Sequence, residues 1–144
     1  MHIFYFLLIL LSSLSLSVLR ASKTLQSVGL VYTLLTQGFE EGHPIARKVI
    51  IVTPTSLVAN WRNEIEKWLG KGVLNVVALS EVGKDNIECG LDDYTRPNSK
   101  AHVLIVSYDT FRRHVDRLSK PGLCDLLICD EAHRSVAVDG GTRC

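Results

Sequence analysis

Four short apolar runs, interleaved with stretches of helical period, constrain this chain more than any other feature. They are residues 48–53 (KVIIVT), 73–79, 102–106 (HVLIV) and 126–129 (LLIC). The first is almost wholly β-branched and shows no polar alternation, as in a strand covered on both faces. Between the runs, residues 56–69 (SLVANWRNEIEKWL) place apolar side chains at 57, 58, 61, 65, 68 and 69, a 3.6-residue period that Gly70 stops. Residues 24–37 (TLQSVGLVYTLLTQ) likewise align Leu25, Val28, Val31, Tyr32 and Leu35, with Gly38 as the expected C-cap. Asp109 is the expected cap of a further helix running to about Leu118, ended by Pro121 and Gly122. Residues 80–100 are polar and aperiodic and read as a surface loop or insertion. Strands that alternate with helices form βαβ units. Their right-handed crossovers build an α/β fold, a parallel sheet with helices on both faces.

A length of 144 residues fits one domain with a sizeable core. Sixteen basic residues against 15 acidic ones leave a net charge of +1, which excludes a global basic footprint and makes any nucleic-acid contact local. Cys89, Cys124, Cys129 and Cys144 form no CxxC pair, so a zinc knuckle is not expected. Cys129 lies inside an apolar strand, which favours a reduced intracellular chain.

The beginning points elsewhere. Residues 3–19 (IFYFLLILLSSLSLSVL) are uncharged and, if helical, span roughly 25 Å, short of a ~30 Å hydrocarbon core. They look like a secretory signal core, yet the n-region offers only Met1 and His2, and Leu19-Arg20-Ala21-Ser22 is a poor cleavage site. The other reading is a segment foreign to the domain, translated from a faulty gene structure. The expected organisation is a leader over 1–22, an α/β lobe over 23–134 and an unrelated tail over 135–144.

In parallel sheets ligands bind beyond the carboxyl ends of the strands. There, behind LLIC, stands Asp130-Glu131-Ala132-His133, the form of a Walker B motif. An acidic residue at a strand end can hold the Mg²⁺ that neutralises nucleotide phosphates, a role for Asp130. The next carboxylate, Glu131, can orient and deprotonate an attacking water. A charged turn after a buried strand is the plainer alternative. His133 has no second His or Cys at ligand spacing, so it is not expected to bind metal.

Lys23-Thr24 before a helix has the form of the end of a phosphate loop, but Leu19, Arg20, Ala21 and Ser22 supply none of the glycines that let backbone amides surround phosphate. Thr53, Pro54, Thr55 and Ser56 follow the first strand, where hydroxyls, amides and a helix N-terminus can face a nucleic-acid backbone. Tyr108 occupies the matching place after the third strand. Trp61 and Trp68 read as core residues of their helix rather than base-stacking platforms.

Taken in order, KTLQSVGLVYTLLTQG, KVIIVTPTSLVANWRNEIEKWLG, HVLIVSYDTFRRH and CDLLICDEAH resemble successive parts of the Swi/Snf group of superfamily-two motors, in its recombinational-repair, Rad-fifty-four-like branch. The resemblance runs over roughly 110 residues. It implies an incomplete RecA-like first lobe of an ATP-dependent double-stranded-DNA translocase, nuclear, acting in homologous recombination and chromatin remodelling beside a recombinase filament or chromatin. It further implies ATP and Mg²⁺ as cofactors. Lys23, Thr24 and Gln26 match the phosphate-loop end, with Thr24 and Asp130 toward Mg²⁺. Asp130 and Glu131 match the catalytic pair, and Thr53, Pro54, Thr55, Ser56 and Tyr108 lie in the DNA-facing motifs.

Three departures qualify it. The loop glycines are absent, the preceding strand is replaced by the leader, and the second lobe with its arginine finger does not follow. The chain as written is therefore expected not to hydrolyse ATP by itself. The alternatives are a non-catalytic DNA- or partner-binding fragment and a small secreted or membrane-tethered protein.

Overall fold

The computed structural model describes residues 17–39, 43–80 and 84–131. The leader expected over 1–22 lies outside them apart from residues 17–22, and so do His133 and the tail over 135–144. No helix among the described residues is long and apolar enough to cross a membrane.

The apolar runs form four strands: β1 (Val49–Thr53), β2 (Val76–Ala78), β3 (Val103–Ser107) and β4 (Leu126–Cys129). They pair in parallel in the order β2-β3-β1-β4. Every residue of β1 and β3 is buried, because helices cover the sheet on both sides. On one face Val28 and Val31 of α1 (Ser17–Thr36) and Val58, Trp61 and Ile65 of α2 (Val58–Leu69) meet Val49, Ile51, Val103, Ile105 and Ile128. On the other, Leu91 and Tyr94 of α3 (Lys84–Thr95) and Leu118 of α5 (Val115–Leu118) meet Ile50, Val52, Leu104, Val106 and Leu127. The expected α/β class holds.

Several local expectations give way to packing. Residues 80–100 are not a loop: α3 occupies most of them. Its inward face is Ile87, Leu91 and Tyr94, and Gly90 lets it press on β2, since a Cβ there would lie 2.4 Å from Leu79 Cδ2. Ser107, not Asp109, caps α4 (Tyr108–Arg113), its side chain accepting from the Thr110 amide at 3.2 Å. Gly38 ends no helix by a left-handed turn. A Cβ on it would sit 1.6 Å from the His43 carbonyl oxygen, so the returning loop needs the space. On α1, Leu25 and Tyr32 stay exposed, whereas Leu35 packs against the core as expected. Trp68 is 45% exposed and not a core residue; its indole N–H donates to Glu64 Oε2 at 2.7 Å, with Lys67 Nζ 4.9 Å from its ring centre.

The entry ends of the strands are tied together by polar groups. Asp125 accepts from the Arg47 and Lys48 amides at 2.7 and 3.0 Å. Lys48 Nζ donates to the carbonyls of Ala101 (2.6 Å) and Tyr94 (3.1 Å), and Tyr94 donates to the Leu123 carbonyl at 2.9 Å. Arg117 joins α5 to α3 through Glu88 (3.2 Å), Asp92 and Thr95 (3.1 Å).

His102 sits beside this cluster, and its Nδ1 accepts from the Asn75 amide at 3.5 Å. Burial, then the charge of Lys48, holds its pKa below the ordinary 6.5. The unfolded chain therefore binds that proton more readily, so stability rises with pH up to about 6.5 and is lost as the pH falls below it. Urea midpoints taken between about pH 7.5 and 5 should fall on acidification, and His102→Ala should reduce that slope.

Candidate functional site

Sheet topology selects one end of the molecule. β1 is followed by α2 on one face, while its neighbour β3 is followed by α4 and α5, whose Phe111 and Leu118 pack on the other. Connections that leave adjacent parallel strands in opposite directions open a crevice beyond their carboxyl ends, the usual place for a ligand. Thr53, Ser107 and Asp130 stand at that edge. Thr53 is in register with Ser107, and the Asp130 amide donates to the Val52 carbonyl at 2.8 Å, carrying the β1–β4 ladder one residue past β4.

Asp130 is the meeting point. Trp61 Nε1 donates to its Oδ2 at 2.9 Å, and Thr53 Oγ1 approaches the same oxygen at 3.4 Å. The Tyr108 hydroxyl donates to its main-chain carbonyl at 2.7 Å. A half-buried carboxylate is thus fixed by groups from β1, α2 and α4, the elements that bracket the crevice. Glu131 follows with φ 54°, left-handed backbone for a residue with a side chain. Such a conformation costs about 1–2 kcal/mol and persists where the surroundings impose it, often at functional sites.

The residues expected to face DNA divide. Thr55 and Ser56 are exposed on a 3₁₀ turn (Thr55–Leu57) that leads into α2, with Pro54 half-buried before it and no side chain capping the turn. Thr53 is fully buried, so its hydroxyl serves Asp130 instead of facing solvent. Tyr108 is half-buried and committed to the Asp130 carbonyl. Burial, with the nearby Cys129, Asp130 and Glu131, raises its pKa far above the tyrosine range, so it remains a donor.

Lys23, Thr24 and Gln26 lie in the interior of α1, whose described residues already run from Ser17, and not at a helix start. Their amides fall past the first turn, where helical N–H groups bond to carbonyls four residues back. Lys23 and Thr24 are half-buried and Gln26 is exposed. Cys89, Cys124 and Cys129 carry free thiols. Burial pushes Cys124 up to about 11 and raises Cys129, so neither is a thiolate at neutral pH.

The sequence does not disclose Trp61 as a partner of Asp130, 69 residues away. Its one signal is general: a buried indole N–H needs an acceptor.

The donor set can be tested for Mg²⁺. That ion takes one or two carboxylates and fills its octahedron with water and phosphate oxygens. Among the described residues no three His, Cys, Asp or Glu side chains gather, and the hydrogen bonds from Trp61 and Thr53 to the Asp130 carboxylate both fall on Oδ2. A single fixed carboxylate fits an ion delivered with its nucleotide.

Comparison with known proteins bears on the same stretch. The family described as SNF2-related domain matches residues 20–137. Protein CHROMATIN REMODELING 25 of Arabidopsis thaliana is 55% identical over 112 residues, 78% of this chain and 12% of its own length. DNA repair and recombination protein RAD54 of Oryza sativa subsp. japonica is 53% identical over 112 residues, 78% of this chain and 11% of its own. The RAD54-like protein of Mus musculus is 44% identical over 115 residues, 78% and 15% respectively. The chain therefore spans 11–15% of the length of these three relatives.

Proposed function

The chain belongs to the SNF2-related family, in its RAD54-like branch, and on that premise we propose that it is part of the first motor lobe of an ATP-dependent translocase on double-stranded DNA. Its setting is nuclear, in repair by homologous recombination and in chromatin remodelling, with a recombinase filament or chromatin as the larger partner. Relatives named for DNA repair and recombination and for chromatin remodelling support this reading.

The observation that carries it is the fixed Asp130 at the carboxyl end of β4, with Glu131 held in a left-handed conformation beside it. Asp130 would hold Mg²⁺, directly or through water, and Glu131 would orient the attacking water and accept its proton. Mg²⁺, when bound, neutralises the phosphate oxygens. Pro54, Thr55 and Ser56 would meet the DNA backbone with hydroxyls and the amides of the uncapped turn, contacts that position the duplex without reading its sequence. Lys23, Thr24 and Gln26 are the residues proposed for the nucleotide.

For the chain as it stands we infer no ATP turnover. Residues 19–22 (LRAS) are helical and lack glycine, so their amides cannot encircle phosphate as a Gly-rich loop does. The same feature favours a DNA-contacting role without hydrolysis for this chain alone.

A graft tests the proposal. Residues 49–131 of this chain replace the matching segment of the Arabidopsis relative, whose own remaining residues are kept. The expected outcome is DNA-stimulated ATP hydrolysis by the chimera. The 144-residue chain should bind duplex in a salt-sensitive way and hydrolyse nothing. A folded chimera without DNA-stimulated hydrolysis would contradict the assignment.

A further inference from the structure

Trp61 has an occupation that packing does not require. It is 2% exposed, wedged among Val58, Ile65 and the apolar face of the sheet, and phenylalanine or leucine could fill much of that volume. What only an indole supplies there is an N–H aimed out of the core at the edge of the sheet. That N–H ends 2.9 Å from Asp130 Oδ2. Thr53, itself fully buried, directs its hydroxyl at the same oxygen, and no buried side-chain polar atom among the described residues lacks a partner. Tyr108 holds the main chain of Asp130 from the opposite face of the sheet at 2.7 Å. Among the described residues, then, the hydrogen bonds to this carboxylate converge on one oxygen and leave Oδ1 for another ligand.

Resting on the nucleotide-site reading above, we infer that Trp61 is a positioning residue for the metal-site carboxylate: by holding Oδ2 it fixes the carboxylate plane and presents Oδ1 to a divalent cation. A hydrogen bond from outside a metal site to a ligating carboxylate commonly sets its orientation, and losing one weakens metal binding about 10–100-fold. Thr53 assists from β1. Because Trp61 lies on α2, downstream of Thr55 and Ser56, the same helix that begins at the DNA-facing turn also holds the carboxylate.

The test has two arms. The first needs no nucleotide. The chain has two tryptophans, so a ¹⁵N correlation spectrum of its indoles contains two signals. Asp130→Asn should displace the Trp61 Nε1–H signal and leave that of Trp68 in place. A Trp61 signal that ignores the substitution would overturn the inference whatever the fate of the functional proposal.

The second arm uses the chimera described above, carrying Trp61→Phe. The metal concentration for half-maximal hydrolysis should rise about 10–100-fold, while turnover at saturating Mn²⁺ or Mg²⁺ returns toward the parent value. Thr53→Val, which leaves the tryptophan in place, should shift the metal requirement in the same direction by less. An unchanged requirement in folded Trp61→Phe, or a loss of turnover that metal does not restore, would assign Trp61 to packing alone. If Trp61→Phe does not fold in the chimera, Thr53→Val and the indole spectrum decide. An inactive but folded parent chimera would instead remove the nucleotide-site reading on which this inference stands.

Discussion

Trp61→Ala should lower the unfolding free energy of this chain by about 3–5 kcal/mol, the range for deleting a large aromatic side chain from a core. The residue joins α1, α2 and the sheet in one cluster, so its removal opens a cavity where three elements meet. The cost has a second part. Asp130 Oδ2 loses its shorter hydrogen bond, and a bond to a charged acceptor contributes about 1.5–3 kcal/mol. Domains of this size have about 5–15 kcal/mol in all, so the variant should be near the edge of folding. In urea, with a slope of about 1–3 kcal/mol per molar, the midpoint should drop by at least about 1 M. Trp61→Phe, which keeps most of the volume, should fall between Ala and the parent. A loss below about 1 kcal/mol for Trp61→Ala would mean that the α1–α2 face is not packed as described.

The second large effect concerns Glu131. Its φ of 54° is one that glycine adopts without penalty, so a side chain at that position costs stability, a strain often retained at functional sites. Glutamine keeps the size and hydrogen-bonding reach of glutamate but cannot take a proton from water. Glu131→Gln in the chimera should therefore lower kcat by about 10²–10⁴, the usual contribution of a positioned base, with little change in KM. Stability should hardly change, since the backbone conformation and side-chain volume persist. Turnover within about threefold of the parent would exclude Glu131 as the residue that handles the attacking water.

What the sequence reveals of this architecture follows from the range of the interactions involved. β1, β3 and β4 are legible because a strand buried on both faces must be apolar along its whole length, and VIIVT, VLIVS and LLIC are. α2 is legible because Val58, Trp61 and Ile65 recur at helical spacing. α3 is hidden for the opposite reason. Its inward face is interrupted by Gly90, where the helix presses on the Leu79 side chain, and its outward face carries Glu88, Asp92 and Asp93. A helix held by sheet contact needs little propensity of its own.

Local capping rules also have a limit. Asp109 and Ser107 are both acceptable N-caps, and only the end of β3 decides that Ser107 takes the position. At the site, the Asp130-Glu131 doublet behind LLIC is readable, and so is the exposed Thr55-Ser56 turn. The bonds from Trp61, Thr53 and Tyr108 to Asp130 are not, because they join positions 69, 77 and 22 residues apart through the sheet register. Likewise, nothing local to Lys23-Thr24 reveals that α1 extends back through residues 17–22.

The decisive measurement is a crystal structure of the chimera with duplex DNA, Mn²⁺ and a non-hydrolysable ATP analogue, with the ion located by its anomalous signal. The expected result is an ion beside Asp130, bound to Oδ1 directly or through one water, with Oδ2 still on Trp61 and Glu131 facing the γ-phosphate. An occupied triphosphate cavity with the Asp130 and Glu131 side chains turned away from it would contradict the assignment of this strand end as the nucleotide site.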